Sequence, residues 1–577
     1  MSNKNISLGK DNFKELIEDN NYYVDKTLLI KKLIDLDAKV TLITRPRRFG
    51  KTLNMSMLKY FFEKTEKNHK YLFNNLKISK SDNSQYLKEQ GRYPVIYLTL
   101  KNAKKRTWEE TFKKLKSTIS NEYKRHKYLL NSNCLSKLEK EEYNNIIAHK
   151  GEVGDYTSVL FNLSNYLKRY FNEKVIILID EYDTPIQSGY LNGYYEEILD
   201  FMKSFLIEGF KDNEALKRGV LTGIMKVAKE SIFSDFNNPV ISTVLSHTFK
   251  TDFGFTQEEV TKILKDFNLE NKLDNLKTWY NGYLFGDKVI YNPWSILNYV
   301  LVPEQGFKSY WLNTSENAII KEVLRLNQSE GKKIIEKLLE GKKVSKNLSE
   351  NIVYQNIKKD YNSAWSFLLH SGYLKATNMR REYRERIFDI SIPNEEVSEM
   401  YINLLKNYFE DDIKLSLEIE TLINSLLEEK LNKFSRILKN IYLSHVSYYD
   451  LSKLNNFDKI REVQQDTRFE NFHHGFILGL LMYGIKYYEI YSNREYGNGR
   501  PDIVLVPKKK DESGYIFEFK WSSTQSERSL ETLVKEAKAQ IKDKKYIEGV
   551  KKIHNFDKVI NVAVGFKGKN LKIDIFK

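Results

Sequence analysis

Residues 39–52 read KVTLITRPRRFGKT, and this stretch decides the fold of the N-terminal half. Lys39 to Thr44 is a short β-branched run with the composition of a buried strand. It enters a turn ending in Gly50-Lys51-Thr52, after which Leu53, Met57, Leu58, Phe61 and Phe62 recur at helical spacing. Strand, turn and helix in that order predict a phosphate-binding loop. Backbone N–H groups at a helix start face an anion, a lysine reaches the β- and γ-phosphates, and a hydroxyl serves Mg²⁺. Arg47, Arg48, Phe49, Gly50, Lys51 and Thr52 are therefore read as nucleotide-binding, with Thr52 also a metal ligand. Arg47 and Arg48 have open alternatives: the γ-phosphate, a neighbouring domain, or solvent. The first glycine of G-x-x-x-x-G-K-[ST] is replaced by Arg45, so the tripeptide alone also fits a basic turn that binds nothing.

The second half of such a site is a buried strand ending in a carboxylate that holds Mg²⁺, followed by an acid that orients the attacking water. Val175 to Glu181 (VIILIDE) has that form. It assigns Asp180 to nucleotide and metal, and Glu181 to catalysis. Thr222, closing a further apolar run, stands where a polar sensor of the nucleotide would, or caps a strand end. Tyr93 to Leu100 completes a set of strands alternating with helices, the pattern of a parallel sheet.

These phrases carry a resemblance. Y-Y-V-D-K-T (Tyr22 to Thr27), L-I-T-R-P-R-R-F-G-K-T-L, I-D-E-Y-D-T-P (Ile179 to Pro185) and L-T-G-I-M-K-V-A-K-E-S-I-F-S (Leu221 to Ser234) resemble the bacterial AAA-ATPase-like proteins. Further matches run through F-G-F-T, W-Y-N-G-Y, Y-N-P-W-S, S-G-Y-L and I-P-N-E-E-V. The resemblance implies ATP and Mg²⁺ as cofactors and explains Arg45 as the family's habit. It also expects arginine where this chain has Lys226. Members often carry a C-terminal PD-(D/E)XK nuclease domain.

The C-terminal region contains material for such a domain. Asp502 opens one apolar strand and Glu518-Phe519-Lys520 closes the next. Residues two apart on a strand share a face, so Glu518 and Lys520 project together, beside Asp502 if the strands pair. Exposed charges on an amphipathic sheet are the plain alternative. G-R-P-D-I-V-L, I-F-E-F-K and E-A-K-A-Q-I together resemble the PD-(D/E)XK superfamily. The resemblance makes Asp502 and Glu518 metal ligands. It makes Lys520 the group that positions the nucleophile or steadies the phosphorane charge, and Gln540 a helper on the packed helix. Glu470 becomes an additional metal-binding acid. His474 is read in preference as a core histidine. The hairpin arginines at 380–386 either track a phosphate backbone or solvate a tip.

The rest of the chain sets bounds. At roughly 100–200 residues per domain, 577 residues require several. We divide them at 1–245 (P-loop NTPase), 246–400 (helical lid and winged-helix-like region), 401–460 (helical connector) and 461–577 (nuclease-like). The fold class is a multidomain α/β: a parallel-sheet NTPase, a winged-helix-like middle and a restriction-endonuclease-like C-terminal domain. The single cysteine, Cys134, excludes a disulfide framework and a thiolate-rich zinc site. The absence of an apolar run long enough to span a bilayer, and of a signal-like N-terminus, leads to the expectation of a cytoplasmic protein. The net charge of +16 fits nucleic acid but follows equally from a lysine-rich composition. The expectation is an ATPase joined to a Mg²⁺-dependent nuclease, acting on DNA in preference to RNA, with self-association open and no membrane partner. The alternative is a nucleotide-dependent switch or assembly module whose C-terminal domain binds without cutting.

Overall fold

The computed structural model describes residues 5–577 apart from 228–238, 312–329, 340, 358–359, 384, 402–412, 446–472, 493, 523–525, 555 and 569. Glu470, Arg384, residues 228–234 of the fourth family phrase and parts of 315–350 and 401–460 lie outside the described residues. The chain divides into two compact units, Met1–Leu326 with Lys343–Ser398, and Asn327–Lys342 with Glu399–Lys577. Together they form a multidomain α/β protein.

The first unit is built on five parallel strands: β1 (Val40–Thr44), β2 (Val95–Thr99), β3 (Val175–Asp180), β4 (Leu216–Gly223) and β5 (Val240–Ser242). Their order is β2-β3-β4-β1-β5. Every residue of β1 and β3 is buried. Both faces of such a sheet are covered by its crossover helices, which is why these strands read as unbroken apolar runs. β5 escapes the sequence reading because three residues carry no periodic signal; pairing with β1 creates it. β4 lies between the strand bearing the loop and the strand bearing Asp180, with Thr222 paired to Ile43 and Leu221 to Ile179. Thr222 thereby arrives beside Asp180.

Beyond β5, the aromatic-rich stretch Trp279 to Pro293 contains a short hairpin, Tyr283–Phe285 with Lys288–Ile290. The helix Gln257–Asp266 begins with a reciprocal cap between Thr256 and Glu259. The helix Tyr361–His370, capped by Asp360, precedes an antiparallel hairpin, giving the expected winged outline. A third strand, β6 (Val344–Asn347), joins that hairpin, β7 (Lys375–Glu382) and β8 (Glu385–Ser391), in the order β7-β8-β6. Composition predicts helix at 344–347; edge pairing with β8 overrides the Lys/Glu-rich pattern. Arg380 is held by Glu382 and Asp389, and Arg386 by Glu350.

The second unit contains β9 (Tyr488–Ser492), β10 (Ile503–Pro507), β11 (Gly514–Ser522), β12 (Val559–Lys567) and β13 (Asn570–Phe576), ordered as numbered. All neighbours are antiparallel except β11 and β12. A parallel pair needs a crossover, supplied by helices Leu530–Asp543 and Tyr546–Ile553. The sequence suggests one helix from 530 to 547. Lys545 instead adopts a left-handed conformation (φ 52°), which ends the first helix and starts the second at Tyr546. The opposite sheet face packs an apolar core with helices Ile413–Leu427, Leu431–His445 and 473–481. β13 is a strand beyond those expected, although Leu571, Ile573 and Ile575 alternate with polar residues. Among the described residues no helix is long and apolar enough to cross a membrane.

Candidate functional site

The loop after β1 meets its helix, Lys51–Phe62, at Gly50, whose φ of 82° is left-handed and suits glycine. Arg48 is also left-handed (φ 68°), and its guanidinium stacks 4.1 Å over the Trp294 ring. Arg47 Nη2 donates to Gln187 Oε1 at 3.2 Å. Lys51 is buried, and its Nζ donates to the carbonyls of Arg45 (3.1 Å) and Pro46 (3.0 Å). Burial lowers its pKa against the pull of Glu181, Asp180 and Asp183. Those two carbonyls take two of the three ammonium donors, and the third is what a phosphate would meet first. The Phe49 ring is wholly buried against Tyr283 and Phe285, with centroids 5.0 and 5.1 Å apart. Its backbone is what it can offer to a nucleotide.

Arg45 has a role the sequence does not reveal. The side chain is fully buried. Nη1 donates to the carbonyls of Thr44 and Ser242, and Nη2 to Ser242 Oγ and the carbonyls of Thr248 and Phe249. The guanidinium also lies over the rings of Phe253 and Phe285. Desolvation brings its pKa down to about 9. The residue at the first glycine position thus fastens the loop to β5 and the segment that follows.

At the end of β3, the buried Asp180 carboxylate collects hydroxyls. Thr52 Oγ1 donates to Oδ2 at 2.8 Å, Thr222 Oγ1 to Oδ1 at 2.7 Å and Thr99 Oγ1 to Oδ2 at 3.3 Å. Burial, reinforced by Glu181, raises its pKa; the hydroxyls of Thr222 and Thr52 and the charge of Lys51 oppose this. A carboxylate ringed by hydroxyl oxygens is a hard-donor set that fits Mg²⁺, which takes oxygen ligands. Glu181 follows in a left-handed conformation (φ 54°), a strain that clusters at functional sites.

Asp183 is a site residue beyond those expected. It is buried and accepts the N–H groups of Ile224 and Met225 through Oδ2, anchoring the chain after β4. Burial pushes its pKa up to about 6 from an ordinary 3.8. The folded state therefore holds this proton more tightly than the unfolded chain. The stability it contributes is present below about pH 4 and is lost as pH rises through about 6. Asp183→Asn keeps an acceptor for both N–H groups and removes the buried charge. Its unfolding free energy is expected to gain on the wild type as pH rises from about 4 to about 6, by up to about 3 kcal/mol. A difference that does not change with pH across that window would sink the argument.

In the second unit, β10 and β11 pair with Ile503 opposite Phe517, so one further step sets Asp502 level with Glu518. Asp502 Oδ2 accepts the Phe519 N–H at 2.7 Å. Glu518 is 2% exposed, and Lys520 Nζ lies 3.2 Å from its Oε1. Gln540 Nε2 donates to the Tyr546 hydroxyl at 3.1 Å. Burial raises the Tyr546 pKa, and the charges of Glu518 and Asp502 add to this. The break at Lys545 brings that tyrosine to the carboxylates. His474 sits against Asp502, a placement the sequence does not favour. Among the described residues no group of three or more His, Cys, Asp or Glu is placed to hold a metal. Two carboxylates still fit Mg²⁺, which commonly takes one or two of them and completes its shell with water and substrate phosphate.

Comparison with known proteins agrees with this geometry. Residues 7–233 match the family model described as a predicted AAA-ATPase. Residues 468–575 match that of the PD-(D/E)XK nuclease superfamily. Over 327 residues the chain is 27% identical to the "Uncharacterized protein in vnfD 5'region" of Azotobacter chroococcum mcd 1, covering 56% of this chain and 57% of that protein. The chain thus spans less than two thirds of the curated relative it matches. It joins an AAA-ATPase-like domain at residues 7–233 to a PD-(D/E)XK nuclease superfamily domain at its C-terminus.

Proposed function

We propose that this chain is an ATP-regulated, Mg²⁺-dependent DNA endonuclease of the cytoplasm. One observation carries the reading: two separate clusters of hard oxygen donors lie on one chain, Thr52 with Asp180 in the first unit and Asp502 with Glu518, beside Lys520, in the second. The basic net charge of +16 supports a nucleic-acid partner.

In the first unit, Lys51, Arg47, Arg48 and the backbone of Phe49 and Gly50 bind the phosphates. Thr52 and Asp180 hold the metal, and Glu181 orients the attacking water. Thr222, bonded to Asp180 and within 3.4 Å of the Glu181 N–H, passes the state of that site to β4. In the second unit, Asp502 and Glu518 hold the metal, with Glu470 as an additional acid. Lys520 positions the nucleophile, and Gln540 acts as a helper through Tyr546. Bound Mg²⁺ supplies Lewis acidity and acidifies water.

The test is a plasmid assay with Mg²⁺, with and without ATP, run beside Lys51→Ala and Asp502→Ala. Cutting should vanish in Asp502→Ala. ATP should change the wild-type rate and leave that of Lys51→Ala untouched. Intact plasmid in every lane, with ATP still hydrolysed, would favour the nucleotide-dependent switch instead.

A further inference from the structure

We infer that His474 is a positioning residue of the nuclease site, holding the Asp502 carboxylate in the orientation a divalent cation needs. The inference rests on the reading of Asp502 as a metal-binding carboxylate. His474 lies in the helical stretch 473–481 and is 4% exposed. Its Nε2 is 2.8 Å from Ser492 Oγ at the end of β9, and its Nδ1 is 3.4 Å from Asp502 Oδ1. The ring stands edge-on to Phe519, centroids 5.7 Å apart at 90°. Ring nitrogens engaged on opposite sides, with an aromatic face between, leave the imidazole little freedom to turn.

Asp502 is held from both ends. Oδ2 accepts the Phe519 N–H from β11, and Oδ1 faces the imidazole. Three elements thus fix one carboxylate: a helix, β9 through Ser492, and β11. An ionised carboxylate only accepts, so Asp502 takes the Nδ1–H and leaves Nε2 to accept from the Ser492 hydroxyl. Both nitrogens are then engaged by protein groups, which argues for orientation of a ligand rather than ligation. The adjacent His473 shows the contrast. Its ring stacks on Phe566 at 4.2 Å, it meets the Tyr442 hydroxyl, and burial lowers its pKa to about 3. A helical step of about 100° separates the two rings. One fills the core and the other reaches the site.

Outer partners of this kind typically change metal affinity about 10–100-fold. The experiment uses the full chain without nucleotide. It measures Mn²⁺ binding by calorimetry and the Mg²⁺ dependence of plasmid cutting for wild type, His474→Ala, His474→Asn, Ser492→Ala and Asp502→Ala. His474→Ala should weaken Mn²⁺ binding about 10–100-fold yet approach the wild-type cutting rate at saturating Mg²⁺. His474→Asn, with an amide nitrogen near the Nδ1 position, should recover most of the affinity, and Ser492→Ala should lose a smaller part. If His474→Ala fails to fold, the Asn and Ser492 variants carry the test.

Wild-type affinity in His474→Ala and Ser492→Ala, with binding lost in Asp502→Ala, overturns the positioning role alone. Loss of cutting in a folded His474→Ala that saturating metal does not restore also overturns it, in favour of a direct catalytic part. A wild type indistinguishable from Asp502→Ala in both assays overturns the metal-site reading itself, and this inference with it.

Discussion

Replacing Arg45 with glycine, the residue the loop consensus asks for, should destabilise the first unit strongly rather than improve its loop. The guanidinium serves four backbone carbonyls and the Ser242 hydroxyl from a fully buried position. Each buried acceptor left unsatisfied costs about 1–3 kcal/mol. Glycine removes every donor at once and leaves a cavity beside Phe253 and Phe285. The Thr248 carbonyl keeps the Ser242 hydroxyl and the Phe249 carbonyl keeps the Asp252 N–H, so a loss of about 4 kcal/mol is expected, against total stabilities of about 5–15 kcal/mol. Arg45→Lys should fall between: it keeps the charge, but three donors on one nitrogen cannot span the fork's acceptors. Urea or thermal unfolding of the three proteins checks this. An Arg45→Gly protein that melts with the wild type would show that the guanidinium only fills space.

Glu518→Gln should separate activity from stability. In the proposed function Glu518 is a metal ligand, and an amide is a poor substitute for a carboxylate on Mg²⁺. Losing several kcal/mol of transition-state stabilisation corresponds to a fall in cutting of about 10³-fold or more. The fold should not suffer. Glu518 is buried and level with a second carboxylate, Asp502, and buried like charges cost stability in the metal-free protein. The amide of the variant still offers an oxygen to Lys520 and removes the charge. The metal-free variant is expected to melt at or above the wild-type temperature, as when a site strained for function is neutralised. Plasmid cleavage and metal-free melting curves supply both readings. Cutting at the wild-type rate would remove Glu518 from the reaction; a sharply lower melting temperature would make it a structural residue.

Most of the chemistry lies in local phrases. VIILIDE and GKT can be read because a buried parallel strand is an unbroken apolar run and a loop–helix junction has a fixed residue order. Glu518 and Lys520 can be paired because strand residues two apart share a face. What escapes depends on distant partners. β5 exists because three residues pair with β1, and β6 because four residues lie beside β8. His474 looks like a core histidine until Ser492 and Asp502, 18 and 28 residues away, close around it.

The sequence by itself determined the alternating α/β layout of the N-terminal half, the order of the phosphate loop and which acids and lysines, Asp183 apart, are candidates in the two proposed sites. Those features are written in spacing and polarity over a few residues, where backbone geometry leaves little choice. Only the tertiary structure decided that Thr222 stands on Asp180, that Arg45 is a core fastener rather than a flawed loop residue, and that Lys545 breaks a helix so Tyr546 can face two carboxylates. Each depends on a contact between segments far apart in the chain. Such contacts follow from sheet order and burial, which residue spacing does not encode.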